Sequence, residues 1–258
     1  MARLDVTGNS DILVSLYRAM GVLEVFSFND ELTLNEIVEK TALPRTTAFR
    51  AIRTFIALDY LSYDPDTRKY TLSPKLFRLG SIAIHARPIS RWARPLMERV
   101  RNRFGETVYL NIRSGTERMC IESLASTHAL QVEMPVGHMS PLYAGATAKI
   151  LLSGMDDREI TQYFDSVTME RLTEVTLVDK EQIWSQIRQI REDGFAISRG
   201  ERIKGVVSVS VSIFDNSKQV VAALSVLIPA IRAEDETVKQ IQEDLIRAGA
   251  ELSRRLGA

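Results

Sequence analysis

Residues 33–72, TLNEIVEKTALPRTTAFRAIRTFIALDYLSYDPDTRKYTL, decide the fold of the first part of the chain. Thr33 and Glu36 have the spacing of a capping box, in which each side chain bonds the other residue's backbone amide, so a short helix is predicted to begin here. Ala42 and Pro44 are predicted to end that helix and start another, because proline lacks the N–H that would be unpaired in a first helical turn.

A second helix is predicted from about Pro44 to about Leu58, with two faces of different character. The apolar residues that recur at helical spacing, and so predict a buried face, are Phe49, Ile52, Phe55 and Ile56. The opposite face carries Thr46, Arg50 and Arg53. A short helix, a tight turn and a second helix with a basic exposed face are typical of a helix-turn-helix.

The residues after this helix predict a β-hairpin. Segments 61–63 and 70–72 alternate apolar and polar residues, as strands do. The sequence between them, DPDTRK, is rich in turn-forming residues and places Arg68 and Lys69 near the tip. A hairpin in this position is typical of a winged helix-turn-helix, in which the wing contacts DNA phosphates.

The charge distribution also favours nucleic-acid binding. The chain has 33 basic and 33 acidic residues, but residues 44–103 hold thirteen Lys and Arg against four Asp and Glu, a balance of +9. This basic block lies in an otherwise acidic chain, as expected for a protein that binds a phosphate backbone. We expect the DNA contacts to come from Arg45, Thr46, Thr47, Arg50, Arg53, Arg68 and Lys69.

Two other interpretations of these residues remain open. Any single arginine of the second helix is also consistent with an ordinary solvent-exposed residue that makes no contact with DNA. The whole motif also fits a small-molecule-binding module that uses its helix-turn-helix for protein interaction. Weak DNA binding that does not depend on salt favours this second alternative, because binding through phosphates weakens as salt rises.

The composition limits the class of protein. The sequence contains no run of about eighteen apolar residues, so it predicts no membrane span. The single cysteine, Cys120, suits a reducing compartment, so a cytoplasmic location is expected. The histidines His85, His128 and His138 lack metal-ligand spacing, so we expect no metal, no cofactor and no enzymatic activity. A hydrolase or transferase is left as a third alternative.

The 258 residues predict an α+β protein with a first domain over 1–73, a linker helix over 74–88 and a second domain over 89–258. An N-terminal helix is expected to cover the helix-turn-helix with Leu13, Leu16, Met20 and Leu23. The second domain is predicted to have three strands, helices, three more strands and a C-terminal helix, which indicates a mostly antiparallel sheet flanked by helices. The third strand is predicted at Leu130–Met134.

The sequence resembles the IclR family of bacterial transcriptional regulators over essentially its whole length. In the first domain the resemblance lies in ALPRTTAFRAIRTF, residues 42–55, and LDYLSYDPDTRKYTLSPKLFRLG, residues 58–80. In the second it lies in ordered blocks, which are GETVYL at 105–110, PVG at 135–137, SPLYA at 140–144, AK at 148–149, KGV at 204–206 and AALSV at 222–226. The family commonly has glycine where this chain has Ala42, so a left-handed turn there is strained by about 1 kcal/mol.

The resemblance implies an N-terminal winged helix-turn-helix and a C-terminal effector domain with a GAF-like sheet. It also implies a repressor or activator that binds operator DNA as a dimer or tetramer and responds to a small organic metabolite, often an acid. The effector-pocket candidates that match the family are Ala146, Thr147, Ser198, Ser208, Ser225 and Leu227. Because Leu227 replaces a hydroxyl and Ser198 an acidic group found in small-oxoacid sensors, we expect a larger or more apolar ligand, such as an aromatic acid. A serine-rich buried strand that binds nothing explains Ser208 and Ser225 equally well.

Overall fold

The computed structural model describes residues 13–85 and 88–258, so residues 1–12 of the predicted first domain and 86–87 of the predicted linker lie outside it. The described residues divide into two compact units, with the division between residues 86 and 87. The first unit is mostly helical with a small sheet, and the second is built on a larger sheet. No helix in the described part of the chain is both long and apolar enough to cross a membrane.

The first unit is a helix-turn-helix followed by a wing. Its helices are α1 Val14–Glu24, α2 Leu34–Thr41, α3 Arg45–Ala57 and α4 Pro74–His85. Its strands are β1 Glu31–Thr33, β2 Leu61–Asp64 and β3 Lys69–Leu72. Strand β3 pairs antiparallel with both of the others. The predicted hairpin of β2 and β3 is therefore confirmed, and it gains a third strand that the sequence did not predict.

The capping box at the start of α2 is confirmed. Thr33 Oγ1 accepts a hydrogen bond from the Glu36 N–H at 3.4 Å, and the Glu36 carboxylate accepts one from the Thr33 N–H at 2.7 Å. At the other end of α2, Ala42 adopts φ 53° and ψ 27°. This left-handed conformation costs a residue with a Cβ about 1 kcal/mol. Pro44 then caps α3, which begins at Arg45.

Helix α1 and the turn that follows it pack on the helix-turn-helix, and of the four predicted covering residues Leu23 lies partly buried against the core of this unit. Val22 and Phe26 are buried in a core that also contains Ile37, Ile52 and Phe55. The predicted covering residues Leu13, Leu16 and Met20 are instead 71%, 54% and 44% exposed. The helical spacing identified a genuine apolar face, but that face has no covering partner within the described residues of this unit.

The second unit is a six-stranded sheet with helices on both faces. Its helices are α5 Pro88–Phe104, α6 Ala146–Ser153, α7 Asp157–Ser166, α8 Lys180–Asp193 and α9 Asp235–Arg255. Its strands are β4 Thr107–Ser114, β5 Glu117–Leu124, β6 Met139–Pro141, β7 Phe195–Arg199, β8 Val206–Phe214 and β9 Val220–Pro229. They are antiparallel, in the order β6-β5-β4-β9-β8-β7. Helices α5 and α9 share one apolar core with the sheet, and α6, α7 and α8 form another, so the α+β prediction is confirmed.

The predicted strand at Leu130–Met134 is wrong, and β6 takes its place at the edge of the sheet. Two carbonyl groups of the segment accept hydrogen bonds from side chains instead. The Thr107 hydroxyl donates to the Val132 carbonyl at 2.8 Å, and Arg232 Nη2 donates to the Leu130 carbonyl at 2.9 Å. These side chains satisfy backbone groups that would otherwise need a neighbouring strand.

Candidate DNA-binding surface and effector cavity

Helix α3 presents a polar and basic face to solvent. Its residues buried against the rest of the unit are Ala48, Ala51, Ile52 and Phe55. Its exposed residues include Arg45, Thr46, Arg50 and Arg53, and Thr47 is half-buried. Because the helix has 3.6 residues per turn, Thr46, Arg50 and Arg53 lie on one side of it. These three side chains are therefore available together to one groove of DNA.

Phe49 also belongs to the exposed face, so its predicted burial is wrong. Its side chain is 45% exposed, whereas Ile52 and Phe55 are 0% and 5% exposed. The small residues Ala48 and Ala51 occupy the buried face, and helical geometry then turns Phe49 toward the basic side. The sequence pattern gave too much weight to the aromatic side chains and too little to the alanines.

Arg45 lies at the start of α3 and is tied to the neighbouring helix. Its guanidinium donates a hydrogen bond to the side-chain carbonyl of Asn35, at the start of α2. Because a guanidinium carries five N–H groups, this bond leaves other donors of Arg45 for a phosphate.

The tip of the wing is a tight turn organised by Asp64. Its carboxylate accepts a hydrogen bond from the Asp66 N–H at 2.9 Å. Arg68 has φ 56° and is exposed in this turn. Lys69 instead forms an ion pair with Glu31 on β1, which raises the pKa of Lys69. Lys69 therefore has less free charge than Arg68 to offer a phosphate.

The second unit contains a small cavity between the sheet and the N-terminal end of α6. Its volume is about 20 Å³, which is room for roughly one water molecule. Four of the six predicted pocket residues line it, and these are Ala146, Ser198, Ser208 and Leu227. Side chains around the cavity must move before an organic molecule fits.

The other two predicted pocket residues, Thr147 and Ser225, do not line the cavity but lie in a network of buried hydroxyl groups. Thr147 Oγ1 is 2.6 Å from Tyr109 Oη and 3.0 Å from both Ser210 Oγ and Ser225 Oγ. Tyr109 Oη is also 3.2 Å from Ser208 Oγ, in the cavity wall. The network spans β4, α6, β8 and β9, so a ligand that displaces Tyr109 or Ser208 disturbs all four elements.

Two arginines that were not among the predicted pocket residues line the same cavity. Arg118 on β5 is 3% exposed, and its Nε has no hydrogen-bond partner among the described residues. Arg202 lies in the loop between β7 and β8. Burial lowers the pKa of both guanidinium groups, to about 10 for Arg202. One sequence signal pointed to Arg118, because strand alternation places it on the same side of β5 as the buried Cys120.

The Glu201 carboxylate also lines the cavity but already has partners. Lys149 Nζ on α6 donates a hydrogen bond to Glu201 at 2.6 Å, and the Gly145 N–H donates one at 3.3 Å. Burial lowers the pKa of Lys149, and the ion pair with Glu201 opposes that shift. The charge of Glu201 is therefore balanced by Lys149.

His138 lies beside Arg202, with 2.5 Å between His138 Nε2 and Arg202 Nη2. Because a guanidinium only donates hydrogen bonds, the imidazole accepts this one with an unprotonated nitrogen. Burial, together with the charges of Arg202 and Arg118, lowers the pKa of His138 and keeps the ring neutral. Within the ranges that the structure describes, no three His, Cys, Asp or Glu side chains form a group that could hold a metal ion.

The chain matches two family models. Residues 15–65 match the IclR helix-turn-helix domain, and residues 81–254 match the C-terminal part of the bacterial transcriptional regulator IclR. This chain belongs to the IclR family. It is a transcriptional regulator with a DNA-binding helix-turn-helix domain and a C-terminal effector-binding domain, as the sequence predicted.

Individual IclR relatives match along most of the chain. HTH-type transcriptional regulator KdgR of Escherichia coli strain K12 is 27% identical, and the match covers 100% of this chain and 98% of KdgR. The structure of a transcriptional regulator from Alicyclobacillus acidocaldarius has a TM-score of 0.85 at 26% identity and covers 96% of this chain and 100% of its own. An IclR homologue from Microbacterium hydrocarbonoxydans was solved as a complex with 4-hydroxybenzoate. It has a TM-score of 0.78 at 25% identity, and the match covers 93% of this chain and 99% of the homologue.

Proposed function

We propose that this IclR regulator binds double-stranded operator DNA in the cytoplasm as a homodimer or homotetramer, and that a small organic acid in the cavity changes its affinity for that DNA. The observation that carries the proposal is the exposed basic face of α3, placed beside a wing with a free cation at its tip. Regulation of this kind requires no chemical turnover of the acid.

Helix α3 is proposed to enter the major groove. Arg50 and Arg53 suit guanine, which offers two acceptors to a guanidinium, and Thr46 suits either a base edge or a phosphate. The other proposed contacts are to the sugar-phosphate backbone, which positions the protein without selecting sequence. These come from Arg45, Thr47, Arg68 and, more weakly, Lys69.

A second copy of the chain is proposed to cover the apolar surfaces that the first unit leaves exposed. At α1 these include Leu13, the residue just before the helix, and Leu16. On α4 they include Phe77 and Ile82, which are 80% and 61% exposed. Large apolar side chains clustered at a surface mark interaction sites. Sedimentation of Phe77→Ser with Ile82→Ser tests this, because a dimer held by these side chains dissociates at concentrations where the wild-type protein does not.

The effector is proposed to act by population shift. A ligand must open the closed cavity, and in doing so it displaces the wall that includes Ser208 and Leu227. The ligand then shifts the population toward the form with an open cavity, by as much as its affinity for that form exceeds its affinity for the closed one. The apolar Leu227 side chain supports an organic acid with a sizeable carbon skeleton, and the 4-hydroxybenzoate complex of the Microbacterium relative supports an aromatic one.

The experiment that tests this proposal is capture of sheared genomic DNA by the purified protein at two salt concentrations, followed by sequencing. We expect a few promoter fragments that share a palindrome to remain bound at the higher salt. Capture without sequence preference, or weak binding that salt does not change, contradicts the proposal. The salt-independent result favours a protein-interaction role for the helix-turn-helix.

A further inference from the structure

The walls of the effector cavity hold more positive charge than their own carboxylates balance. Arg118 and Arg202 both line it. No Asp or Glu side chain among the described residues forms an ion pair with either guanidinium. Each therefore faces the cavity as a cation without a counter-ion.

The neighbouring titratable groups do not supply the missing negative charge. The carboxylate that lines the cavity, Glu201, is bound to Lys149 at 2.6 Å. His138 contacts Arg202 at 2.5 Å as a neutral acceptor and contributes no charge. The lining thus retains two positive charges, one from each arginine.

A buried cation without a counter-ion is costly, and this cost favours binding of a ligand that supplies one. Arg118 is 3% exposed and its Nε is unsatisfied among the described residues. Tyr109 offers Arg118 only a neutral hydroxyl, and a buried guanidinium without a charged partner is far less favourable than one paired with a carboxylate. Arg202 also carries its charge close enough to Arg118 to be repelled by it. Two anionic groups on one ligand supply a partner for Arg118 Nε and offset this repulsion.

We infer that the effector is a dicarboxylic acid, with one carboxylate bound by Arg118, the other by Arg202, and the carbon skeleton against Leu227. This inference rests on the proposed function of the cavity as the effector site. A guanidinium and a carboxylate match in two parallel hydrogen bonds, which gives each end of the ligand a defined position. The hydroxyls of Ser198 and Ser208, which also line the cavity, supply neutral hydrogen bonds between the two ends.

Calorimetric titration of the full-length protein with matched acids tests this inference. The probes are the dicarboxylates from succinate to suberate together with terephthalate, each compared with its own monoamide, which keeps the length and removes one charge. We expect at least one dicarboxylate to bind about 10- to 100-fold more tightly than its monoamide, as for loss of a charge-assisted hydrogen-bonded pair.

Substitution of each arginine assigns the two carboxylates. In Arg118→Met and Arg202→Met, the affinity for the preferred dicarboxylate is expected to fall to that of the monoamide. Arg113→Met is the matched control, because Arg113 pairs with Arg118 in the register of β4 and β5 but is exposed and bound to Glu159. Methionine fills similar volume without the charge, and Arg202→Met decides the matter if Arg118→Met does not fold.

Three results overturn the inference. If monoamides bind as tightly as dicarboxylates, and Ser208→Phe abolishes both by filling the cavity, the effector is an acid but not a dianion. If sulfate competes as well as the best dicarboxylate, the site binds a small inorganic anion. If no acid binds at all, and none changes operator affinity, the proposed effector function fails together with the dianion.

Discussion

Lys149 and Glu201 form an ion pair in the interior of the second unit, with 2.6 Å between Nζ and Oε1 and exposed fractions of 1% and 8%. The pair connects α6, whose first residues line the cavity, to the loop that carries Arg202. It therefore sets both the position of the cavity wall and the number of unbalanced charges there.

Removing one partner of this pair is expected to destabilise the protein. Lys149→Met leaves Glu201 buried without its counter-ion, at a cost of about 3 kcal/mol in the free energy of unfolding. Combining Lys149→Met with Glu201→Gln removes both charges, so much of that stability is expected to return. Urea unfolding of the two variants measures the difference. A double variant no more stable than Lys149→Met contradicts the assignment of the cost to an unpaired charge.

The two wing cations are expected to contribute unequally to DNA binding. Arg68 is exposed, whereas Lys69 is paired with Glu31. Arg68→Ala is expected to reduce the slope of log affinity against log salt by about 1, as for loss of one phosphate contact. Lys69→Ala is expected to change that slope less, because Glu31 already offsets its charge. A larger effect from Lys69→Ala shows that the ion pair opens on DNA.

Phe49 is expected to contribute to base recognition, because it lies exposed beside the basic face of α3. An aromatic side chain in the major groove contacts the methyl group of thymine. Replacing the contacted thymine by uracil removes that methyl group and is expected to weaken binding of the wild-type protein but not of Phe49→Ala. Uracil substitutions at the remaining thymines of the operator are the control. Equal sensitivity of the two proteins at every thymine contradicts a role for Phe49.

The stability of the second unit is expected to fall in weak acid because of His138. Its pKa in the folded protein lies below the ordinary value of 6.5, so the unfolded chain takes up a proton first as pH decreases. The contribution of His138 to the free energy of unfolding is therefore largest above about pH 6.5. It is lost as the pH falls toward the lower pKa of the folded state.

The variant that isolates this effect is His138→Gln, which keeps an acceptor for Arg202 but does not titrate. Urea unfolding at about pH 7 and about pH 5 compares conditions in which the imidazole of the unfolded chain is mostly neutral and mostly protonated. The difference in the free energy of unfolding between the two pH values is expected to decrease in His138→Gln and to persist in the control His128→Gln. An unchanged difference in His138→Gln excludes this histidine as its source.

Local patterns predicted the helix-turn-helix well because its determinants are neighbours in the chain. Thr33 and Glu36 cap α2 through bonds to each other, and the turn residues 64–69 fix the wing. Phe49 was assigned to the wrong face because an exposed aromatic and a buried one have the same spacing in a sequence. Only the packing of Ala48 and Ala51 against the core distinguishes them.

The proposed effector site was less predictable because its determinants come from distant segments. The family resemblance located Ser198, Ser208 and Leu227, which do line the cavity. It did not indicate that Arg118 from β5 and Arg202 from a later loop meet there, since charge balance depends on which carboxylates are already paired. The strand predicted at Leu130–Met134 failed for a related reason, because distant side chains satisfy its carbonyls.

The most direct test of the central claim, that the exposed face of α3 reads operator DNA, is the affinity of Arg50→Ala for the operator and for its single-base variants. Arg158→Ala, which removes an exposed arginine from α7, is the control. We predict that Arg50→Ala binds the operator about 10- to 100-fold more weakly and no longer distinguishes one base pair, while Arg158→Ala matches the wild type. Wild-type affinity and base preference in Arg50→Ala would contradict the account.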